Sequence, residues 1–170
     1  MTPELTDDAI VTALRAFLVA VLPDGVEIVL GQQNRVPEPA FPDHVVITPT
    51  RREQLSTSVR RYAPGIGGDG VVLIGRSNAV HFQLDVYGPA STDNVQVIAT
   101  LFRDAWGCEF LAPYGVQPLY CDDGHQMPLV NGEFQYEDRW TMTAALQANP
   151  PVSTPQDYTR SVHVEMRKVS

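Results

Sequence analysis

Apolar and polar residues alternate over Val80 to Tyr87, where Val80, Phe82, Leu84 and Val86 interleave with His81, Gln83, Asp85 and Tyr87. Period two is the mark of a half-buried strand. Gly88-Pro89 ends it, since proline has no amide to give a ladder. Ser91-Thr92-Asp93-Asn94 offers cap oxygens and negative charge to a new helix, whose stripe is Val95, Ile98, Leu101, Phe102, Ala105 and Trp106. Gly107 then reads as its C-terminal stop. Further on, Phe134, Tyr136, Trp140, Met142, Ala144 and Leu146 predict a long strand with Asp138 set into its apolar register. A buried Asp138 needs hydrogen bonds or an arginine such as Arg103 or Arg139; a bulge turning it outward is the alternative.

The rest of the chain supplies one more helix and several strands. Ile10, Val11, Leu14, Phe17, Leu18, Val21 and Leu22 recur at helical spacing over residues 7–22, with Thr6 or Asp7 as cap and Pro23-Asp24-Gly25 as the end. Val26 to Leu30 and Val45 to Thr48 predict strands, the second broken or turned by Pro49. Arg35 to Asp43, with three prolines, predicts an extended connection. Arg51 to Tyr62 favours strand over helix. Pro64 to Asn78 is the loosest segment, a glycine-rich loop around the apolar run Val71 to Ile74. Cys108 to Tyr114 reads as a linker, and Val116 to Cys121 as a strand whose Pro118 points to a sheet edge. Asn131-Gly132 is a two-residue hairpin signal. Pro150, Pro151 and Pro155 break the sheet, and Tyr158 to Val169 alternates once more as a strand that closes its own sheet edge or extends a neighbour's. The expected fold is α+β: a mixed, mostly antiparallel sheet flanked by two helices. One domain spans 1–150, and 151–170 form a C-terminal strand or arm.

Composition narrows the function. At 170 residues and 44% hydrophobic content the chain suits one domain with a sizeable core. No run approaches a membrane span, and acids rather than a basic stretch precede Ile10 to Leu22, so neither membrane insertion nor secretion is expected. Two cysteines make no disulfide framework and suit reduced thiols in a cytoplasm. A net charge of −8 opposes DNA binding by the whole surface. Charge is nonetheless segregated. Arg51, Arg52, Arg60, Arg61 and Arg76, against Glu53 and Asp69, give residues 51–76 a net +3 and leave −11 for the remainder. Opposed patches on one chain suit head-to-tail assembly, and eleven of the twelve basic residues are arginine, the residue suited to paired contacts at interfaces. The alternative is that the arginines merely solvate a long strand.

Catalytic signals are weak. Gly65-Ile66-Gly67-Gly68-Asp69-Gly70 lacks the lysine and threonine of a phosphate loop. Cys108, Cys121 and His125 have no paired-cysteine spacing, and Asp122-Asp123-Gly124 reads as a turn. His81 and Asp85 share a strand face about 13 Å apart, too far for a dyad, and read as solvent or subunit contacts. No catalytic residue, metal ligand or cofactor is expected.

Five short runs carry a resemblance. Gly31-Gln32-Gln33-Asn34-Arg35-Val36-Pro37, Thr48-Pro49-Thr50-Arg51-Arg52-Glu53, Gln83-Leu84-Asp85-Val86-Tyr87-Gly88-Pro89-Ala90-Ser91, Leu101-Phe102-Arg103-Asp104 and Tyr136-Glu137-Asp138-Arg139-Trp140 stand in the order in which similar runs occur in the phage neck-terminator, or tail-completion, family. The resemblance covers roughly residues 5 to 150. It implies a structural virion protein, assembled in the bacterial host cytoplasm, that forms a hexameric ring. Such a ring caps the tail tube and joins it to a head-side connector or stopper, with a sheath as a further partner in contractile tails. DNA passes through the lumen without specific binding, and no family catalytic residues carry over. The expected contact residues are Arg51, Arg52, Arg60, Arg61 and Arg76 with Gly67 and Gly68. Other readings are a head-side adaptor, a baseplate subunit, or a small metal-dependent hydrolase using Asp85, Asp122 and Asp123.

Overall fold

A computed structural model describes residues 5–32, 39–63, 70–127, 129–130, 136–156 and 164–165. Three helices, α1 (Asp7–Val21), α2 (Ser91–Phe102) and α3 (Ala105–Leu111), pack on one face of the main sheet. That sheet runs in the order β1 (Glu27–Leu30), β2 (His44–Gln54), β5 (Asn78–Tyr87), β10 (Arg139–Ala148), β6 (Val116–Cys121), with β7 (His125–Gln126) also paired to β10. Among the described residues only β1 and β2 pair in parallel; the other ladders of this sheet are antiparallel. The α+β class read from the sequence is therefore the one observed.

The β5 alternation decides which face is the core. Val80, Phe82, Leu84 and Val86 stand in register with Leu146, Ala144, Met142 and Trp140 of β10, and Val45 and Ile47 of β2 continue the layer. Ile10, Leu14, Phe17 and Leu18 of α1, with Val95, Ile98 and Phe102 of α2, cover it. Thr6 caps α1 as expected, its Oγ1 accepting from the Ala9 amide at 3.2 Å.

Two expectations fail around α2. The Ser91-to-Asn94 run makes no cap hydrogen bond; instead Asp43 Oδ1 accepts from the Ala90 amide at 3.0 Å. The helix ends at Phe102, and the predicted linker after it is α3, capped by Asp104 Oδ1 on the Trp106 amide at 3.0 Å. Gly107 lies inside α3 rather than ending α2.

Prolines break less than their chemistry suggests. β2 runs through Pro49 to Gln54 by shifting register between Pro49 and Arg51, so a bulge absorbs the missing donor. The predicted loose run 70–75 is a strand, β4 (Gly70–Gly75), the centre of a second sheet ordered β11 (Val152–Gln156), β4, β3 (Val59–Ala63). Pro155 sits within β11, an edge strand, where a missing amide costs nothing to the ladder. Pro118 likewise sits in β6, at the main sheet's edge. β8 (Leu129–Val130) and β9 (Tyr136–Glu137) pair antiparallel around the Asn131-Gly132 signal. Asn131-Gly132 itself, residues 35–38 of the proline-rich connection and all of the predicted strand 158–169 except residues 164–165 lie outside the described residues.

Candidate assembly surface

The β2 and β5 strands hand over to a small sheet at their Gln54 and Asn78 ends, where chain leaves as β3, returns as β4 and is joined by β11. The central strand of this arm is Gly70-Val71-Val72-Leu73-Ile74-Gly75, apolar on both faces. Such strands normally lie covered on both sides. Here Val71 to Ile74 are only half-buried, and among the described residues no helix or main-sheet strand packs extensively on the arm. All of β3 is exposed, and Leu55, Val59 and Tyr62 are exposed apolar side chains on or beside it. On one face, Val59, Arg61, Leu73, Gly75, Arg76 and Pro151 line a groove of about 470 Å³.

The structure divides the predicted contact arginines between two places. Arg60 and Arg61 lie on β3 and Arg76 on the β4–β5 connection, where its Nη1 donates to Gln54 Oε1 at 3.2 Å. Arg51 and Arg52 lie at the end of β2; Arg51 pairs with Glu53 at 3.5 Å, and Arg52 pairs with Asp7 at the start of α1. Gly67 and Gly68 lie outside the described residues.

The helix-free face of the main sheet holds two buried polar networks, and corrects the reading of His81 and Asp85 as solvent or subunit contacts. Asp85 accepts from Gln83 Nε2 at 2.9 Å, Arg139 Nη2 at 2.9 Å, Arg139 Nε at 3.2 Å and Thr141 Oγ1 at 2.6 Å. His81 is 2% exposed, with Nδ1 3.1 Å from the Tyr120 hydroxyl and Nε2 3.6 Å from Glu53. Burial, and then Arg51, hold its pKa below the ordinary histidine value, with Glu53 opposing. Long side chains on β2, β6 and β10 close over these positions, which period-two alternation cannot reveal. Asp138 takes the outward alternative: it is exposed, and its carbonyl accepts from the Gly88 amide at 3.1 Å.

The residues of the hydrolase reading do not converge. Asp85 is occupied by four donating atoms, while Asp122 accepts from the Thr143 amide. Cys121 has its thiol pushed up to about 12 by burial, with the Asp122 charge adding to it. Among the described residues no three His, Cys, Asp or Glu side chains gather as a metal site, and no helix is long and apolar enough to cross a membrane.

A further feature is a file of aromatic rings that starts on α3 and continues onto the 3-10 turn Ala112–Tyr114 after it. Trp106, Phe110 and Tyr114 stack in sequence with centroids 5.2 and 6.0 Å apart. Their i, i+4, i+8 spacing is the signal the sequence carries for it, masked because Trp106 also continues the apolar stripe of the preceding helix.

A comparison with family models matches residues 8–169 to the phage neck terminator protein family. The chain belongs to that family. It is thus a structural protein of the phage neck, and its place is in the virion's tail and neck region. The neck terminator match extends beyond the five quoted runs and includes the whole arm, β11 among it. No curated protein matches the chain.

Proposed function

We propose that this neck terminator closes with copies of itself into a ring, six-fold by family resemblance, that caps the tail tube and joins it to the head-side connector. The single observation carrying this is the arm: a three-stranded sheet with an apolar central strand left half-bare by its own subunit. Small isolated sheets are marginal without further packing. A subunit built this way is completed by a neighbour. Segregated charge supports the same reading, because a basic arm and an acidic remainder favour repeated head-to-tail contact. The mechanism is geometric. A closed ring occupies the tube end that would otherwise accept another tube subunit, and its opposite rim presents a surface to the connector. A net charge of −8 per copy lets DNA pass without phosphate contacts. The ring performs no chemistry, uses no cofactor and assembles in the host cytoplasm.

Electron microscopy of particles made without this protein tests the reading. Overlong tails, or tails of normal length unjoined to heads, are the expected result. Normal tails beside heads that have lost DNA would instead favour a head-side adaptor, and correctly joined, full particles would reject both.

A further inference from the structure

The aromatic file that runs from α3 to Tyr114 has properties that match the arm. Its rings are nearly parallel, with planes 24° and 26° apart, and its outer members are exposed, Trp106 by 42% and Tyr114 by 39%. Phe17 of α1 braces the inner side, against Trp106 at 6.0 Å and Phe110 at 6.2 Å. Aromatic faces held open in this way attract guanidinium groups. Asp104 and Glu109, both exposed, outweigh the neighbouring exposed Arg103 and leave the surroundings of the file net negative.

The arm carries the complementary pattern. Arg60 and Tyr62 project from one face of β3, above Ile74 and Val72 of β4. Same-face residues on a strand recur about every 6.6 Å, close to the ring spacing of 5.2 to 6.0 Å. Both surfaces belong to this chain, carry opposite charge and expose large apolar side chains. A second copy is therefore the occupant that chemistry selects for each.

Resting on the ring reading above, we propose that β3 of one copy lies across the Trp106–Phe110–Tyr114 file of the next. Arg60 stacks on the aromatic faces and pairs with Glu109, and the half-bare face around Val72 and Ile74 is covered. Because the two patches differ, the contact repeats head to tail and closes when the rotation per subunit divides a full turn.

Charge exchange tests this contact. Analytical ultracentrifugation of the full chain, alone and with purified tail tubes as template, would compare wild type, Arg60→Glu, Glu109→Arg, the double variant and Tyr114→Ala. Each charge reversal is expected to weaken self-association at least tenfold, the double variant to recover most of it, and Tyr114→Ala to weaken it with an unchanged melting curve. A double variant no better than either single change would overturn the contact, as would wild-type association by both Glu109→Arg and Tyr114→Ala. If wild type still forms rings in that case, only the docking geometry falls. A wild-type chain that stays monomeric even on tubes removes the ring reading with it.

Discussion

Asp85 and Arg139 meet diagonally across two antiparallel strands, Arg139 Nη2 donating to Asp85 Oδ1 at 2.9 Å while the same guanidinium lies 5.7 Å from the Tyr87 ring centre. Asp85 is 5% exposed, so its charge depends on those donors. Removing one partner strands the other in a poorly solvated place. Arg139→Met is therefore expected to cost about 3 kcal/mol in urea unfolding, and Asp85→Asn in the same chain to recover part of it. The exposed pair Arg52–Asp7 is the control: Arg52→Ala should cost less than about 1 kcal/mol.

His81 makes stability depend on pH. Its folded-state pKa lies below the ordinary 6.5, chiefly through burial, so the unfolded chain takes up the proton first as pH falls. Stability from this group is complete above about 6.5 and declines as pH drops below it. Melting temperatures measured between pH 8 and 5 should fall on the acid side, and His81→Gln should flatten that slope. An unchanged slope in the variant would place the titration elsewhere.

Gly107 reverses a familiar rule. Replacing a mid-helix glycine by alanine ordinarily stabilises by about 1 kcal/mol. Here an added Cβ would run into the carbonyl oxygens of Leu101 and Phe102, which are fixed backbone at the end of α2. Gly107→Ala should destabilise by about 1–3 kcal/mol, read as a lower urea midpoint.

The two cysteines should differ in reactivity. With its pKa at about 12, Cys121 is thiolate to only about one part in ten thousand at pH 8. Peptide mapping after brief iodoacetamide treatment of the native protein should find Cys108 modified well before Cys121. Equal labelling would show that the β6 edge opens readily.

Periodicity made much of this protein legible. The alternation from Val80 to Val86 and the helical stripe from Ile10 to Leu18 record which face is buried, because both elements bury one side against the same core. The capping of α1 by Thr6 is equally local. Family membership was legible too, in short runs of residues rather than in any catalytic pattern.

What the sequence could not reveal depends on partners distant along the chain. Asp43 rather than the Ser91-to-Asn94 run satisfies the start of α2, and Arg139 rather than solvent meets Asp85, 54 positions away. The Val71–Ile74 strand is ordered by β3 and β11 on its two sides, although glycines flank it. One-dimensional pattern reports the face an element buries, since burial repeats with backbone geometry. Which distant group satisfies a polar atom has no period, and only the folded chain decides it.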